Sequence, residues 1–146
     1  MKKITFSIDI NAAPAKVWET MLAPETYKEW VNPVWPGSYY EGEWKEGYQL
    51  RFISPGHGGT LAVLEKVIPY HTISAKHIAI IRADGTKDTE SEATKSWMGT
   101  TESYTFTPAG NGTILTTEMN VYPEWEKMMT NDWPKALASL RNVCEK

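Results

Sequence analysis

The N-terminal segment changes from an alternating to a helical pattern of apolar residues. Residues 3–10 alternate between apolar and polar side chains, which predicts a half-buried strand. Pro14 suits the first turn of a helix, and apolar residues follow it at helical spacing as far as Leu22. Pro24 ends that helix, and residues 25–30 predict a second short one. The segment therefore predicts one strand followed by two short helices.

The middle of the chain predicts consecutive strands separated by turns. The predicted strands lie at residues 48–52, 60–68, 72–82, 103–107 and 113–121, with one further short strand around residues 38–44. Asn111-Gly112 is a strong signal for a hairpin turn. Residues 84–96 are polar and charged, so we expect an exposed excursion that is longer than most hairpin loops.

Apolar residues near the C-terminus recur every three or four positions: Trp125, Met129, Trp133, Leu137, Leu140 and Cys144. This spacing predicts one buried stripe along a long helix. Pro134 interrupts the stripe, and an interior proline removes a helical hydrogen bond. Asn131 or Asp132 could instead cap a new helix. We therefore expect a kinked or broken helix whose main segment covers residues 132–145.

The order of the elements indicates the fold class. Consecutive antiparallel strands, with the helices at the two ends of the sequence, predict an α+β domain. A curved sheet of about six to seven strands would wrap around the long C-terminal helix and bury its stripe. The length of 146 residues suits a single domain covering residues 1–146. A domain of this size needs neither a disulfide nor a metal for stability.

Composition and charge narrow the classes of function. The net charge is −3 and the basic residues are scattered, which argues against a nucleic-acid partner. Cys144 is the only cysteine, so no intrachain disulfide can form and a reducing compartment is expected. No apolar run approaches the ~20 residues of a membrane span, and the N-terminus lacks the pattern of a signal peptide. We expect a cytoplasmic protein.

Aromatic residues make up 12% of the chain and include seven Trp and seven Tyr. They either fill a solid core or line a cavity, and composition does not decide between the two. A cavity of this kind is mostly apolar with a few placed polar groups. The candidate cavity residues are Trp30, Trp35, Tyr40, Phe52, His77, Tyr104, Phe106, Trp125, Met129 and Trp133.

The histidines and glutamates are the candidates for chemistry. His57 and His71 lie in turns, and we expect both at the surface. His77 shares the inner face of its strand with Ile73 and Ala75 if the parity is right. It is then a hydrogen-bonded core residue, a polar contact for a ligand or a general base.

Glu65 and Glu102 lie on predicted strands, where a solvent-facing side chain is the ordinary outcome and one of them could point inward. The chain has no nucleophile elbow, phosphate loop, dinucleotide fingerprint or zinc-spaced cluster. We therefore expect no cofactor and no metal.

Several segments resemble one known superfamily in their order and spacing. They are Ala12-x-Pro14-x-x-Val17-Trp18, then Pro24-Glu25 and Lys28-x-Trp30, Gly59-x-Leu61-x-Val63-Leu64-Glu65, Trp97-x-Gly99-Thr-Thr-Glu102-Ser-Tyr104, and Trp133-Pro134-Lys135-Ala136-Leu137-x-x-Leu140. Together they resemble the START-like (SRPBCC, helix-grip) superfamily. Within it, the chain is most similar to the family of bacterial single-domain proteins related to the activator of the heat-shock protein 90 ATPase. The resemblance covers essentially the whole chain.

The resemblance implies a fold and a cavity rather than a reaction. It implies an apolar pocket between sheet and C-terminal helix, with Trp30 and Trp35 near its mouth. The function expected first is non-enzymatic binding of a small hydrophobic molecule, lipid-like or aromatic, by a monomer or weak dimer. One alternative is a cyclase or dehydratase that uses an acid–base residue in the cavity. Another is a co-chaperone or stress-response module with a chaperone partner.

Overall fold

The computed structural model describes residues 1–146 as a mixed sequence of strands and helices. The strands are β1 (Lys2–Ile10), β2 (Tyr39–Glu41), β3 (Gln49–Ser54), β4 (Gly58–Ile68), β5 (Thr72–Ile81), β6 (Lys87–Asp88), β7 (Thr101–Ala109) and β8 (Gly112–Val121). The helices are α1 (Pro14–Leu22), α2 (Pro24–Val31), α3 (Glu92–Lys95) and α4 (Pro123–Cys144). The predicted α+β helix-grip architecture, with two short helices after the first strand and a long C-terminal helix, is confirmed.

All strands belong to one antiparallel sheet in the order β1-β8-β7-β5-β4-β3-β2, and the short β6 pairs with β5. The hairpin predicted at Asn111-Gly112 joins β7 to β8, where Ala109 pairs with Gly112. The pairing of β5 with β7 places Ala75 opposite Glu102. Both strands turn alternate side chains toward the helices, and this register decides which polar residues reach the interior.

Three helices begin with proline. Pro14, Pro24 and Pro123 each occupy a first-turn position of α1, α2 or α4, where the missing N–H is not needed. The residue before each proline is extended, as proline requires of its predecessor. These starts place α1 and α2 directly after β1, and both pack against α4.

Helix α4 corrects the prediction of a helix whose main segment starts at residue 132. It runs without a break through Pro134, and Asn131 and Asp132 lie inside it rather than at a cap. Pro134 is exposed, so its ring and the lost hydrogen bond lie on the solvent side. The opposite side buries Met129, Trp133 and the apolar residues after them. The burial of apolar residues before and after Pro134 outweighs the free-energy cost of the lost hydrogen bond.

The segment at residues 84–96 is exposed at most positions, as expected, but it also has regular structure of its own. It contains β6 and the short helix α3, whose first residues follow Ser91 as N-cap. Asp88 is buried and accepts hydrogen bonds from the Ser91 hydroxyl and from the backbone N–H groups of Glu90 and Ser91. The Ser91 hydrogen bonds lower the pKa of Asp88 to about 2. This carboxylate organises the turn that leads to Trp97.

One cluster of 24 buried residues forms the main core between the sheet and helices α1, α2 and α4. The stripe predicted for α4 contributes Met129, Trp133, Leu137, Leu140 and Cys144 to it. The burial of Cys144 raises the pKa of its thiol. The part of this layer between α4 and strands β3 to β7 is incompletely filled, and a cavity remains there.

Candidate functional site

The cavity has a volume of about 220 Å³ and lies between the sheet and the helices. Its floor comes from β3, β4, β5 and β7, and its walls come from α1, α2, α4 and the loops that contain Trp35, Trp44 and Trp97. Met128 of α4 belongs to the lining and is 41% exposed, so this side of α4 forms the mouth. Fourteen of the 21 lining residues are hydrophobic, which is the composition expected of a site for an apolar molecule.

Seven of the ten candidate cavity residues lie on its wall: Trp30, Trp35, Phe52, His77, Tyr104, Met129 and Trp133. They come from α2, the following loop, β3, β5, β7 and α4. The indole N–H of Trp30 donates to the carbonyl of Met21 at 3.1 Å, which holds the ring against α1. Trp35 and Trp133 meet edge to face with centroids 5.4 Å apart. The two short helices and α4 thus hold the aromatic side of the cavity in place.

The other three candidates lie outside the lining. Tyr40 packs behind it, against Tyr27, and its hydroxyl donates to the carbonyl of Leu22. Phe106 is fully buried and packs on Trp18, 5.2 Å away, because β7 carries it past the end of the cavity. Trp125 packs behind Trp97, which itself lines the cavity. The alternation along β7 and the spacing along α4 predicted the inward side of Phe106 and Trp125, but such patterns do not specify where along an element the cavity lies.

Several lining residues were not among the candidates. Tyr27, Trp44 and Trp97 contribute rings, and Glu102 contributes a carboxylate. Trp44 and Trp97 lie outside regular elements, so no periodicity marked them. Glu102 had been named only as a possible inward glutamate, and it lies two residues before Tyr104 on the same face of β7.

Of the two glutamates expected on strands, Glu102 is the one that points inward, since its side chain is only 15% exposed. Glu65 is exposed, as are His57 and His71. The expected inner-face position of His77, together with Ile73 and Ala75, is confirmed by the burial of all three.

The polar centre of the cavity consists of Glu102, His77 and Tyr104. The Tyr104 hydroxyl donates to Oε2 of Glu102 at 2.6 Å, and Nε2 of His77 lies 2.8 Å from Oε1. With Glu102 ionised, the short contact requires a proton on Nε2, so His77 is the donor. Each carboxylate oxygen therefore has one partner from the protein, and a carboxylate offers about four acceptor sites in all.

The pKa values at this centre follow from burial and charge. Burial by itself would raise the pKa of Glu102, but the electrostatic attraction of His77 and the hydrogen bonds from His77 and Tyr104 outweigh it, so the pKa lies below its usual value. Burial and then the negative charge of Glu102 raise the pKa of Tyr104 well above its ordinary value. The same two causes raise the pKa of Tyr27. At neutral pH Glu102 is therefore a carboxylate, and the phenols of Tyr104 and Tyr27 are neutral.

His77 is held from its other side by two tryptophans. The Trp97 ring lies 4.7 Å from the His77 ring, and Trp125 meets Trp97 edge on at 5.1 Å. The indole N–H of Trp125 donates to the carbonyl of Ser96 at 2.8 Å. Nδ1 of His77 and Nε1 of Trp97 are buried without a hydrogen-bond partner. The helix α4 thus fixes the imidazole indirectly, through Trp125 and Trp97.

The arrangement can accept hydrogen bonds from a bound molecule at Glu102 and can move a proton between Glu102 and His77. No three His, Cys, Asp or Glu side chains converge as ligands for a metal ion. None of the helices combines the length and apolar character that a membrane crossing would need.

Comparison with solved structures supports the fold over the whole chain. Protein MLL2253 from Mesorhizobium loti superposes with a TM-score of 0.77 at 16% identity, covering 99% of this chain and 97% of that one. The Aha1 dimer from Colwellia psychrerythraea gives 0.73 at 20% identity, with the same two coverages. CalU16 from Micromonospora echinospora gives 0.66 at 15% identity, covering 97% and 75%. At these identities the likeness shows the fold alone.

The sequence comparisons add the family. A search of curated proteins finds no match. Residues 1–145 match the family described as polyketide cyclase/dehydrase and lipid transport. The expected START-like superfamily is thereby confirmed, and the match covers all the elements that build the cavity. The chain belongs to the polyketide cyclase/dehydrase and lipid transport family of START-like proteins.

Proposed function

We propose that this protein binds a small apolar molecule in the cavity between sheet and α4, without chemical conversion. The observation that carries the proposal is the cavity itself, about 220 Å³ of space lined mainly by hydrophobic residues around one buried carboxylate. An empty apolar cavity of about 150 Å³ is large enough for benzene. A ligand of one or two rings, or a short branched chain, therefore fits better than a long lipid.

In this proposal the residues divide into two roles. Trp30, Trp35, Phe52, Met129 and Trp133 bury the apolar body of the ligand, which drives affinity. His77 and Tyr104, with Glu102 between them, orient its polar end. The family description includes lipid transport, which is consistent with binding.

The first test is native mass spectrometry of the purified protein, followed by extraction of any bound compound. We expect one small apolar compound per chain. Ala75 lines the cavity and is 5% exposed, so Ala75→Leu places extra carbon atoms inside it. Ala109→Leu is the matched control, because Ala109 is an exposed residue of β7. Binding that survives Ala75→Leu as well as it survives Ala109→Leu would place the ligand elsewhere and refute the proposal.

Tryptophan fluorescence provides a second measurement of ligand binding. Trp133 lines the cavity and Trp18 does not. A ligand in the cavity should change the emission of the protein, and Trp133→Phe should remove much more of that change than Trp18→Phe.

A second candidate function is acid–base catalysis of the cyclase or dehydratase kind. The observation that favours it is the hydrogen-bonded chain Tyr104–Glu102–His77 at the cavity, since a carboxylate and an imidazole in contact can exchange a proton. The recovered compound, returned to the protein, would then change in mass, for example by loss of water. Glu102→Gln should abolish that conversion while the compound still binds. An unchanged compound would favour binding alone.

A further inference from the structure

The charges around the cavity are all of one sign apart from His77. Apart from His77, Glu102 and Asp132 are the only lining residues whose side chains carry a charge at neutral pH, and both are acidic. The chain has 15 Lys and Arg residues, and none of them lines the cavity. Even with a protonated His77, the formal charges of the lining sum to a negative value. Apart from His77, whose Nε2 is directed at Glu102, the site therefore has no cationic group that could neutralise a carboxylate or phosphate on a ligand.

The carboxylate of Glu102 is fixed in position and can accept further hydrogen bonds. Tyr104 and His77 each occupy one of its oxygens, which fixes the carboxylate plane. Two of its roughly four acceptor sites remain without a partner from the protein. A ligand group that donates hydrogen bonds can use these sites, whereas a ligand group that only accepts them would face a buried anion.

The aromatic part of the lining suits a positive charge as well as an apolar body. Eight lining residues carry Phe, Tyr or Trp rings, and five of the eight are tryptophans. The faces of such rings attract a cation within about 6 Å, and tryptophan does so most strongly. The phenol of Tyr27, whose pKa is raised, stays neutral and adds no competing anion.

We infer that the ligand of this cavity is a small apolar amine, whose ammonium group is bound by Glu102 and surrounded by the tryptophan rings. The inference rests on the proposed function and names the chemical class of its ligand. An amine with one or two rings matches the volume of about 220 Å³. The ammonium donates to the open acceptor sites of Glu102, and the rings bury the remainder.

The test compares three probes that share one body and differ in the polar end: 2-phenylethylamine, 2-phenylethanol and phenylacetate. Each is titrated into the protein at neutral pH, with binding measured by calorimetry and by tryptophan fluorescence excited at 295 nm. We expect the Kd of the amine to be at least tenfold lower than that of the alcohol. The acid should bind at least about a hundredfold more weakly than the amine, because its charge is buried beside Glu102.

Glu102→Gln tests the group that carries the preference, since it keeps the shape of the side chain and removes the charge. The Kd of the amine should rise at least tenfold, to that of the alcohol, while the Kd of the alcohol changes less than threefold. Glu65→Gln is the matched control, because it removes the same charge from the exposed face of β4 and should leave all three Kd values unchanged.

An acid that binds as tightly as the amine, or an amine no tighter than the alcohol, would overturn the inference. So would failure of all three probes to bind, or an amine Kd that Glu102→Gln leaves unchanged. Binding of the alcohol with no preference for the amine overturns only the amine class and leaves the proposed function intact. If Glu102→Gln does not fold, the three probes on the unaltered protein still decide the question.

Discussion

Removal of one hydroxyl group tests whether the polar centre of the cavity is built as the structure shows. Tyr104→Phe removes the donor that lies 2.6 Å from Oε2 of Glu102 and keeps the ring that packs 6.0 Å from Trp133. Tyr104 is 5% exposed, so bulk water does not reach the vacated position freely. The substitution thus leaves a buried carboxylate with one protein partner, His77, in place of two.

The size of the effect follows from the charge of the acceptor. A hydrogen bond to a charged group contributes about 1.5–3 kcal/mol. The Glu102 side chain retains 15% exposure, which allows partial solvation, so we expect a loss near the lower part of this range, about 2 kcal/mol. Unfolding entropy of about 2.1 cal/mol/K per residue over 146 residues converts this to a Tm lowered by roughly 6–7 °C.

Equilibrium unfolding in urea at neutral pH measures the loss, and Tyr48→Phe is the control because Tyr48 is 49% exposed. That control should change the free energy of unfolding by less than about 0.5 kcal/mol. In the Glu102→Gln background, Tyr104→Phe should cost only about 1 kcal/mol, as for a hydrogen bond between neutral groups. A cost for Tyr104→Phe no larger than that for Tyr48→Phe would refute the reasoning.

Three further predictions test the charge, the helix and the sheet. Because the folded-state pKa of Glu102 is depressed, its contribution to stability is complete above its unfolded pKa and is lost as pH falls through the folded pKa. The free energy of unfolding should therefore fall more steeply between pH 7 and pH 3 for the unaltered protein than for Glu102→Gln. Asp88, whose pKa is also lowered, contributes equally to both proteins. Parallel plots of unfolding free energy against pH would contradict this prediction. Pro134→Ala should raise the free energy of unfolding by about 1–2 kcal/mol. It restores a helical hydrogen bond at an exposed position, and the higher conformational entropy of the unfolded chain offsets part of that gain. A lower Tm in calorimetry would mean that the proline ring packs favourably. Gly59→Ala should lower the free energy of unfolding by more than about 3 kcal/mol. A Cβ at this position would lie 1.7 Å from the carbonyl oxygen of Phe52, so β3 would have to separate from β4. A urea midpoint close to that of the unaltered protein would contradict the close approach of these strands.

Strand alternation and helical spacing predicted part of the candidate site. His77, Tyr104 and Trp133 follow from strand parity or helical spacing, and each lies on the cavity wall. Trp97 reaches the wall from a position outside the regular helices and strands, so no periodic pattern marks it. Phe106 has the right parity on β7 but lies beyond the end of the cavity, because parity specifies a face and not a place along the strand.

The sequence alone determined the order and type of the main elements. Periods of two and of about 3.6 residues mark which side of each strand and helix is apolar, and the prolines at positions 14, 24 and 123 mark where helices can begin. The apolar face of each element has to be buried against another element. The order and type of the elements therefore determine the α+β architecture.

Only the tertiary structure decided how the elements complete one another. Helix α4 continues through Pro134 because packing on both sides of the proline outweighs the lost hydrogen bond, a balance that no local propensity contains. Glu102 tolerates burial because the sheet register and the turn at Trp97 bring it to His77, 25 residues away in sequence. The cost of burying a charge depends on its partners, and partners distant in sequence become neighbours only in the folded chain.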